Sequence, residues 1–124
     1  MKQTIKIGIS GSRSITDKEF VFKTLDFYLK RLLEEFEVIL VHGGAKGVDS
    51  LCEEWSVLNG LETIVFKPDY NLFPPKVAPI KRNQDIVNES QYLLAITTGS
   101  SGTASTIKMA EKKGIPTKIV KYEP

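Results

Sequence analysis

Three glycine-rich turns limit what this chain can fold into, because each of them joins a predicted strand to a predicted helix. They lie at about residues 9–13 (Ile-Ser-Gly-Ser-Arg), 42–49 (His-Gly-Gly-Ala-Lys-Gly-Val-Asp) and 97–103 (Thr-Thr-Gly-Ser-Ser-Gly-Thr). In a parallel sheet that alternates with helices, all strand-to-helix turns meet at one edge. Glycine lets the backbone approach a ligand there, and each helix N-terminus offers unpaired N–H groups and a positive dipole end. The three turns together predict a phosphate or nucleotide site.

Strand and helix patterns alternate along the whole chain. Strands are expected at about residues 4–10, 37–42, 62–67, 92–97 and 117–121, and helices at about 17–36, 48–59, 79–89 and 103–113. The second and fourth strands are nearly continuous apolar runs, which is typical of strands covered on both faces. We therefore expect an α/β fold, a three-layer Rossmann-like sandwich around a five-stranded, mainly parallel sheet in the order 3-2-1-4-5.

Two of the predicted helices begin with residues that can cap them. Residues 16–19 read Thr-Asp-Lys-Glu, which has the form of a capping box at the start of the first helix. Thr103 stands where the fourth helix is expected to begin, so we expect its hydroxyl to cap that helix.

The composition describes an ordinary globular chain and excludes several functional classes. Hydrophobic residues make up 41% of the 124 residues, enough for one core and a single domain over residues 1–124. The net charge of +2 is too small to argue for nucleic acid by itself. The single cysteine, Cys52, excludes an internal disulfide and fits a reducing, cytoplasmic compartment. No run approaches the ~20 apolar residues of a membrane span, and we expect neither a metal nor a cofactor.

The turn at residues 43–49 is the main candidate for an anion cradle. Two glycines end the preceding strand, and Gly47 stands where the next helix starts. Asp49 either caps that helix or accepts a hydrogen bond from a ribose hydroxyl; the alternative is a tight turn in which Asp49 is only an N-cap. The spacing matches neither the P-loop nor the dinucleotide fingerprint.

Residues 99–103 form a second candidate cradle, with two glycines and two serines on the same predicted edge. Its alternative interpretation is again an ordinary turn. Arg13, in the first turn, can hold a phosphate through two hydrogen bonds, or it is a solvated loop arginine.

Arg82 and Asn83 open the third predicted helix. Asn83 falls on the same helical face as Ile80 and Val87, so we expect it to point toward the sheet and to need a partner there, either a ligand or a loop backbone group. We expect Arg82 to project elsewhere, over the mouth of the site or into water.

Four further side chains bear on function. His42 is better explained as a packed, hydrogen-bonded residue than as a general base. Cys52 and Trp55 are expected in the core, and Asp69 is a candidate to close over a ligand. The complete set of predicted ligand-binding residues comprises Gly11, Ser12, Arg13, Gly43, Gly44, Lys46, Gly47, Asp49, Arg82, Asn83, Gly99, Ser100, Ser101, Gly102 and Thr103.

The ordered set of motifs resembles the SLOG superfamily, the Rossmann-like group that includes DprA, the LOG phosphoribohydrolases and the small YspA-like proteins. The matching segments are the Gly-Ser-Arg start at 11–13, the Gly-Gly-Ala-x-Gly-Val-Asp turn at 43–49, Arg-Asn at 82–83 and the turn at 99–103. The resemblance implies a site for a nucleotide, a nucleotide-derived signal or a nucleic-acid end. In LOG enzymes a Pro-Gly-Gly-x-Gly-Thr-x-x-Glu motif supplies a catalytic glutamate, and here Thr106 stands at that position.

The leading hypothesis is a cytoplasmic binding module for a nucleotide or nucleotide-derived small molecule. Its phosphates would lie on the turns at 43–47 and 99–103, with Arg13 and Arg82 neutralising their charge and Asn83 and Asp49 orienting ribose or base. One alternative is a nucleotide N-glycosidase, for which Asp49 or Asp69 would have to supply the carboxylate. Another is a binder of nucleic-acid ends. We expect no membrane association, and a homo-oligomer is left open.

Overall fold

The computed structural model describes residues 2–123, and within them the chain alternates strand and helix as the sequence predicts. The strands of this range are β1 (Gln3–Gly11), β2 (Phe36–His42), β3 (Glu62–Val65), β4 (Tyr92–Thr97) and β5 (Thr117–Lys121). The helices of this range are α1 (Lys18–Glu35), α2 (Val48–Leu58), α3 (Ala78–Glu89) and α4 (Ser101–Lys113).

The described strands form one five-stranded sheet in the order β3-β2-β1-β4-β5, and every neighbouring pair is parallel. This confirms the predicted Rossmann-like α/β fold and its strand order. Because β1 lies at the centre, with β2 on one side and β4 on the other, the turns that follow these three strands meet at the carboxyl edge of the sheet.

Helices cover both faces of the sheet. Helices α1 and α2 pack side by side over the larger core, which includes Ile7, Leu25 and Trp55. Helices α3 and α4 pack over the opposite face, where Val87, Leu93 and Ala110 form a smaller apolar cluster. Trp55 is therefore in the core as predicted, and so is the fully buried Cys52. Burial from both sides explains the nearly continuous apolar sequences of β2 and β4.

Both predicted caps lie at the wrong residue. Helix α1 is capped by Asp17 rather than Thr16, and the Asp17 carboxylate accepts from the backbone N–H of Phe20. Helix α4 begins at Ser101 rather than at residue 103, and Ser100 occupies its N-cap position, so Thr103 lies inside the first turn of the helix. Ser, Thr and Asp all suit such positions, and the sequence alone does not choose among neighbours.

Candidate ligand-binding site

A cleft of about 460 Å³ opens at the carboxyl edge of the sheet, above the end of β1. It lies between the turns after β1 and β2, the start of α3 and the N-terminus of α4. The residues that line it are Ile9, Ser10, Gly11, Arg13, Ser14, Ala45, Asp49, Pro79, Arg82, Asn83, Ile86, Ser100, Ser101, Gly102 and Thr103. Its chemistry is mixed: an apolar floor is surrounded by two arginines, one carboxylate, an amide and several hydroxyls.

The N-terminus of α4 presents open backbone donors to this cleft. The amide hydrogens of Ser101, Gly102 and Thr103 have no acceptor among the described residues, as expected for the first turn of a helix. A Cβ built on Gly102 would meet no atom within 4 Å, so the space beside this turn is empty. An anion there would receive N–H groups and the positive end of the helix dipole.

A chain of hydroxyl groups fixes the turn before α4 onto the turn after β1. The Ser12 hydroxyl accepts from the Thr98 amide at 3.0 Å and lies 2.8 Å from the Ser100 hydroxyl, which in turn donates to Thr103. The Gly99 amide donates to the Thr97 hydroxyl at 2.8 Å. Ser12 itself is almost fully buried and does not line the cleft. Ser12 was predicted to contact a ligand. In the structure its hydroxyl instead supports the N-terminus of α4.

The arginine and asparagine of α3 differ from the prediction in which of the two is the more buried. Arg82 is buried, while Asn83 is only partly buried and Ile80 is half exposed. The buried residues of α3 are Ala78, Arg82, Ile86 and Val87, so Val87 is buried as expected, while Arg82 is more buried than Asn83 and Ile80 is not buried. Both Arg82 and Asn83 nevertheless line the cleft.

Arg82 connects α3 to the turn after β2. Its Nη1 donates to the carbonyl oxygen of Gly43 at 2.8 Å, and its Nε donates to the Asn83 side chain at 2.9 Å. Arg13 is exposed on the other wall of the cleft. Within residues 2–123 neither arginine has a carboxylate within ion-pair distance. Burial lowers the pKa of Arg82, the nearby Asp49 carboxylate opposes this shift, and the charge of Arg13 acts in the same direction as burial. Two neighbouring cations, neither of them in an ion pair with a described carboxylate, favour an anionic ligand.

The turn at residues 43–47 already holds an anion, and that anion is the carboxylate of this chain's own Asp49. Asp49 Oδ2 accepts from the amide of Gly43 at 3.1 Å and from that of Ala45 at 3.3 Å. The Gly44 amide donates to His42 Nδ1 at 3.0 Å. The side chain of Asp49 therefore braces the turn and does not cap α2, whose N-cap is Gly47. The N–H groups of Gly43, Gly44 and Ala45, expected to cradle phosphate, are therefore used internally, whereas those of Lys46 and Gly47 have no acceptor among the described residues.

Three of the predicted glycines serve close packing. A Cβ on Gly43 would collide with the Arg82 guanidinium, and one on Gly11 would collide with Val48. Gly47 has φ +77°, and a Cβ there would lie 2.5 Å from the carbonyl oxygen of Ser12. Of the three, only Gly11 lines the cleft.

The remaining predicted residues are divided between the cleft and its surroundings. Gly44 and Lys46 line a separate depression on the far side of the turn, next to Glu53 and Lys67. Gly99 lies at the bend before α4 with φ +97° and is not part of the cleft lining. Arg13, Asp49, Arg82, Asn83 and the segment 100–102, by contrast, come together in one cleft with Thr103.

The other candidate side chains have structural partners. His42 is buried, with Nε2 2.8 Å from the Glu53 carboxylate, which confirms that it is packed and hydrogen-bonded. That bond lowers the pKa of Glu53. Asp69 is outside the cleft and accepts from the amides of Asn71 and Leu72 in its own loop. Thr106 is buried and donates to the carbonyl of Gly102.

Among the described residues, Asp49 is the one carboxylate that lines the cleft, and burial shifts its pKa. Burial raises its pKa above the ordinary value, against the opposing effects of nearby basic side chains and of the two amide hydrogen bonds. Its second oxygen, Oδ1, is buried without any hydrogen-bond partner, and it is the sole side-chain atom of the described residues in that state. Among these residues no group of three His, Cys, Asp or Glu side chains is placed to hold a metal ion.

Sequence reasoning missed part of the cleft lining. Pro79 and Ile86 form one face of α3 together with Arg82 and Asn83, at spacings of three, four and seven residues from Pro79. That helical period was present in the sequence and could have identified the face. Ala45 and Ser14 carried no comparable signal, because their positions depend on how the two loops fold back over the sheet.

The fold and the cleft define a Rossmann-like α/β protein with a ligand site at the carboxyl edge of its sheet. The sequence profile of the YAcAr family, the YspA, cpYpsA-related SLOG family, matches residues 5–73. The chain belongs to this family. Membership supports a nucleotide-related role in general.

Two individual proteins are similar along most of the chain. The "Gene 61 protein" of Mycobacterium phage D29 is 30% identical over 117 residues, which cover 90% of this chain and 92% of that protein. The X-ray structure of the structural-genomics target TM1055 matches with a TM-score of 0.65 and 22% identity, covering 94% of this chain and 72% of that one. At that identity the second likeness concerns the fold alone. None of the helices within residues 2–123 is long and apolar enough to cross a bilayer.

Proposed function

We propose that this chain is a binding module for a nucleotide or nucleotide-derived small molecule, acting as one domain over residues 1–124. The ligand's phosphate lies at the N-terminus of α4, and its remainder extends along the cleft toward α3. The observation that carries the proposal is the open first turn of α4, whose amide donors face the same cleft as two arginines that form no ion pair among the described residues.

The two arginines have different roles in this proposal. Arg13 is exposed and free to move onto a phosphate, where its guanidinium can make two parallel hydrogen bonds. Arg82 is anchored by Gly43 and Asn83, so it supplies a fixed positive charge whose Nη2 has no partner among the described residues. The turn at 43–47 contributes position rather than phosphate contacts, which changes the assignment expected from the sequence.

The test is a thermal-shift and calorimetric screen against nucleoside mono- and diphosphates and ADP-ribose, since a ligand that binds only the folded state raises its apparent stability. Arg13→Ala should weaken the binding of the tightest ligand by about 1.5–3 kcal/mol, the scale of a charge-assisted hydrogen bond. Arg31→Ala is the matched control, because Arg31 is an exposed arginine on α1 outside the cleft. Equal losses in both variants, or no ligand in the whole panel, would contradict the proposal.

A second candidate function, nucleotide N-glycosidase activity, is favoured by one observation. Asp49 is a buried carboxylate in the cleft with a raised pKa, a property common among catalytic acids and bases. The LOG-type glutamate position cannot serve, because Thr106 is buried, hydrogen-bonded and outside the cleft lining. Asp69 lies outside the cleft as well.

Incubation with nucleoside 5′-monophosphates distinguishes the two functions. The binding proposal expects no free base above the uncatalysed background. Base release that disappears in Asp49→Asn would establish the enzyme instead. A binder of nucleic-acid ends would differ from both by a steep fall of affinity with salt, since it neutralises several phosphates at once.

A further inference from the structure

Asp49 carries an unmet hydrogen-bonding requirement inside the proposed nucleotide cleft. Asp49 lines the cleft and is 6% exposed. Its Oδ1 is buried and has no hydrogen-bond partner among the described residues. Buried polar atoms are almost always paired, since an unpaired one loses its water without compensation. A carboxylate oxygen is among the most costly groups to leave in this state.

The side chain cannot relieve this by turning. Oδ2 is held by hydrogen bonds from the amides of Gly43 and Ala45, which would both be lost if the side chain turned away. Of the basic side chains that act on Asp49, Arg82 directs its identified hydrogen bonds to the Gly43 carbonyl and to Asn83, and the ring nitrogens of His42 bond to Gly44 and Glu53. Rotation of the carboxylate would only exchange which oxygen lacks a partner. The missing partner must therefore come from outside the described residues.

We propose that Asp49 Oδ1 is a specificity determinant that accepts a hydrogen bond from a donor on the non-phosphate part of the ligand. This inference rests on the proposed function, because it presumes a nucleotide whose phosphate lies at α4. The recognised chemistry is an O–H or N–H group, supplied either by a ribose hydroxyl or by an exocyclic amine of the base. A phosphate monoester is mainly a dianion at neutral pH and is repelled by the carboxylate, so the ligand is held in one direction.

The physical basis for strong selectivity is the asymmetry of buried hydrogen bonds. A site built to bind an O–H or N–H group rejects an analogue without it far more strongly than an apolar pocket rejects an extra methylene. Without the donor, the buried oxygen stays unpaired in the complex and is further cut off from water. The geometry therefore favours ligands that retain the donor.

The first experiment compares the wild-type chain with AMP, 2′-deoxy-AMP, 3′-deoxy-AMP and IMP by calorimetry. These probes keep the phosphate and remove, in turn, each ribose hydroxyl and the exocyclic amine. One analogue should bind about 10- to 100-fold more weakly than AMP, the range expected when a buried charged acceptor loses its partner. The identity of that analogue assigns the donor to ribose or to base.

The second experiment uses Asp49→Asn. The amide oxygen of asparagine can accept from Gly43 and Ala45 as Oδ2 does, while its NH₂ replaces the unpaired Oδ1 with a donor. The variant should no longer discriminate among the four probes, because the O–H or N–H donor of the ligand now lies against the NH₂ donor of asparagine. Asp85→Asn, which removes the same charge from α3 outside the cleft lining, should keep the wild-type ranking.

The outcomes separate the inference from the function on which it rests. Equal affinity of the wild type for all four probes would overturn the role of Asp49 and leave nucleotide binding intact. Retained discrimination in a folded Asp49→Asn variant would also overturn it. If Asp49→Asn does not fold, the wild-type series alone decides. If no probe binds and the wider nucleotide panel also fails, the proposed function falls and this inference falls with it.

Discussion

The turns at residues 43–47 and 99–103 look alike in sequence but have opposite structural roles. In the first, the amides of Gly43 and Ala45 bind the Asp49 carboxylate, and Arg82 fills the space a side chain would need. In the second, the amides of Ser101, Gly102 and Thr103 have no acceptor among the described residues, and the space beside Gly102 is empty. The protein itself occupies the amides of residues 43–45, whereas the amides of residues 101–103 are open to a ligand.

The difference shows that a glycine-rich turn indicates that some group lies close to the backbone. It does not indicate whether that group is a ligand or another part of the protein. At residue 43 the approaching group is an internal guanidinium, and at residue 47 it is the backbone of residues 12 and 13. A phosphate site also requires N–H groups that no internal acceptor uses. In this chain that condition is met at α4.

The largest expected effect comes from Gly47→Ala in the closed turn. The methyl group would lie 2.5 Å from the carbonyl oxygen of Ser12, and φ +77° is already unfavourable for alanine. Overpacking and backbone strain together should lower the free energy of unfolding by about 2–5 kcal/mol. Denaturant unfolding measures the loss. Gly60→Ala is the control, since it shares the positive φ but meets no atom within 4 Å; equal losses would refute the steric account of the turn.

Ser12→Ala should have the next largest effect, because it removes the hydroxyl that joins the turn after β1 to the turn before α4. The Thr98 amide and the Ser100 hydroxyl would lose their partner. A cost of about 1–3 kcal/mol in unfolding free energy is expected for such an unpaired buried group. Binding should also weaken, because the start of α4 is no longer fixed. An unchanged affinity in a destabilised variant would show that this network does not position the site.

The fold and the site could be predicted from the sequence where they depend on contacts between residues that are near each other along the chain. The alternation of patterns and the apolar runs of β2 and β4 predicted the sheet order correctly, because they reflect repeated local periods. The burial of Arg82 was not predicted, since Ile80 and Val87 suggested the apolar stripe and tertiary packing buries Ala78 and Ile86 with Val87 instead of Ile80. The partner of the 43–47 amides was missed as well. Asp49 lies four to six residues away, and only the path of the backbone decides whether it caps a helix or folds back.

Gly102→Ala should have a small effect on stability and a clear effect on binding. The added Cβ meets no protein atom, and alanine favours the helix, so unfolding free energy should rise by about 0.4–1 kcal/mol or stay unchanged. The same methyl group occupies the open space of the cleft and should weaken nucleotide binding by roughly tenfold. Calorimetry beside thermal melting separates the two effects. Unaltered affinity would place the phosphate elsewhere.

The smallest expected effect is a change in the pH dependence of stability in Asp49→Asn. Burial raises the pKa of Asp49 in the folded state above its ordinary value of 3.8, so the wild type loses stability as pH rises from that value through the folded-state pKa. Asparagine has no such loss. Across this pH window, the melting temperature of the variant should rise relative to that of the wild type as pH increases. At pH values above the window, the difference between the two melting temperatures should stay constant. The opposite trend would mean that the folded state favours the charged carboxylate.

The contrast between the closed and the open turn is tested most directly by an amide NMR titration with AMP. Each relevant N–H group reports separately, and the glycine resonances are distinctive. The account predicts the largest shifts at Ser101, Gly102 and Thr103, with Gly43, Gly44 and Ala45 changing little because their hydrogens stay bound to Asp49 and His42. Dominant shifts at Gly43–Ala45 with a silent α4 N-terminus, or no shift at either turn, would contradict it.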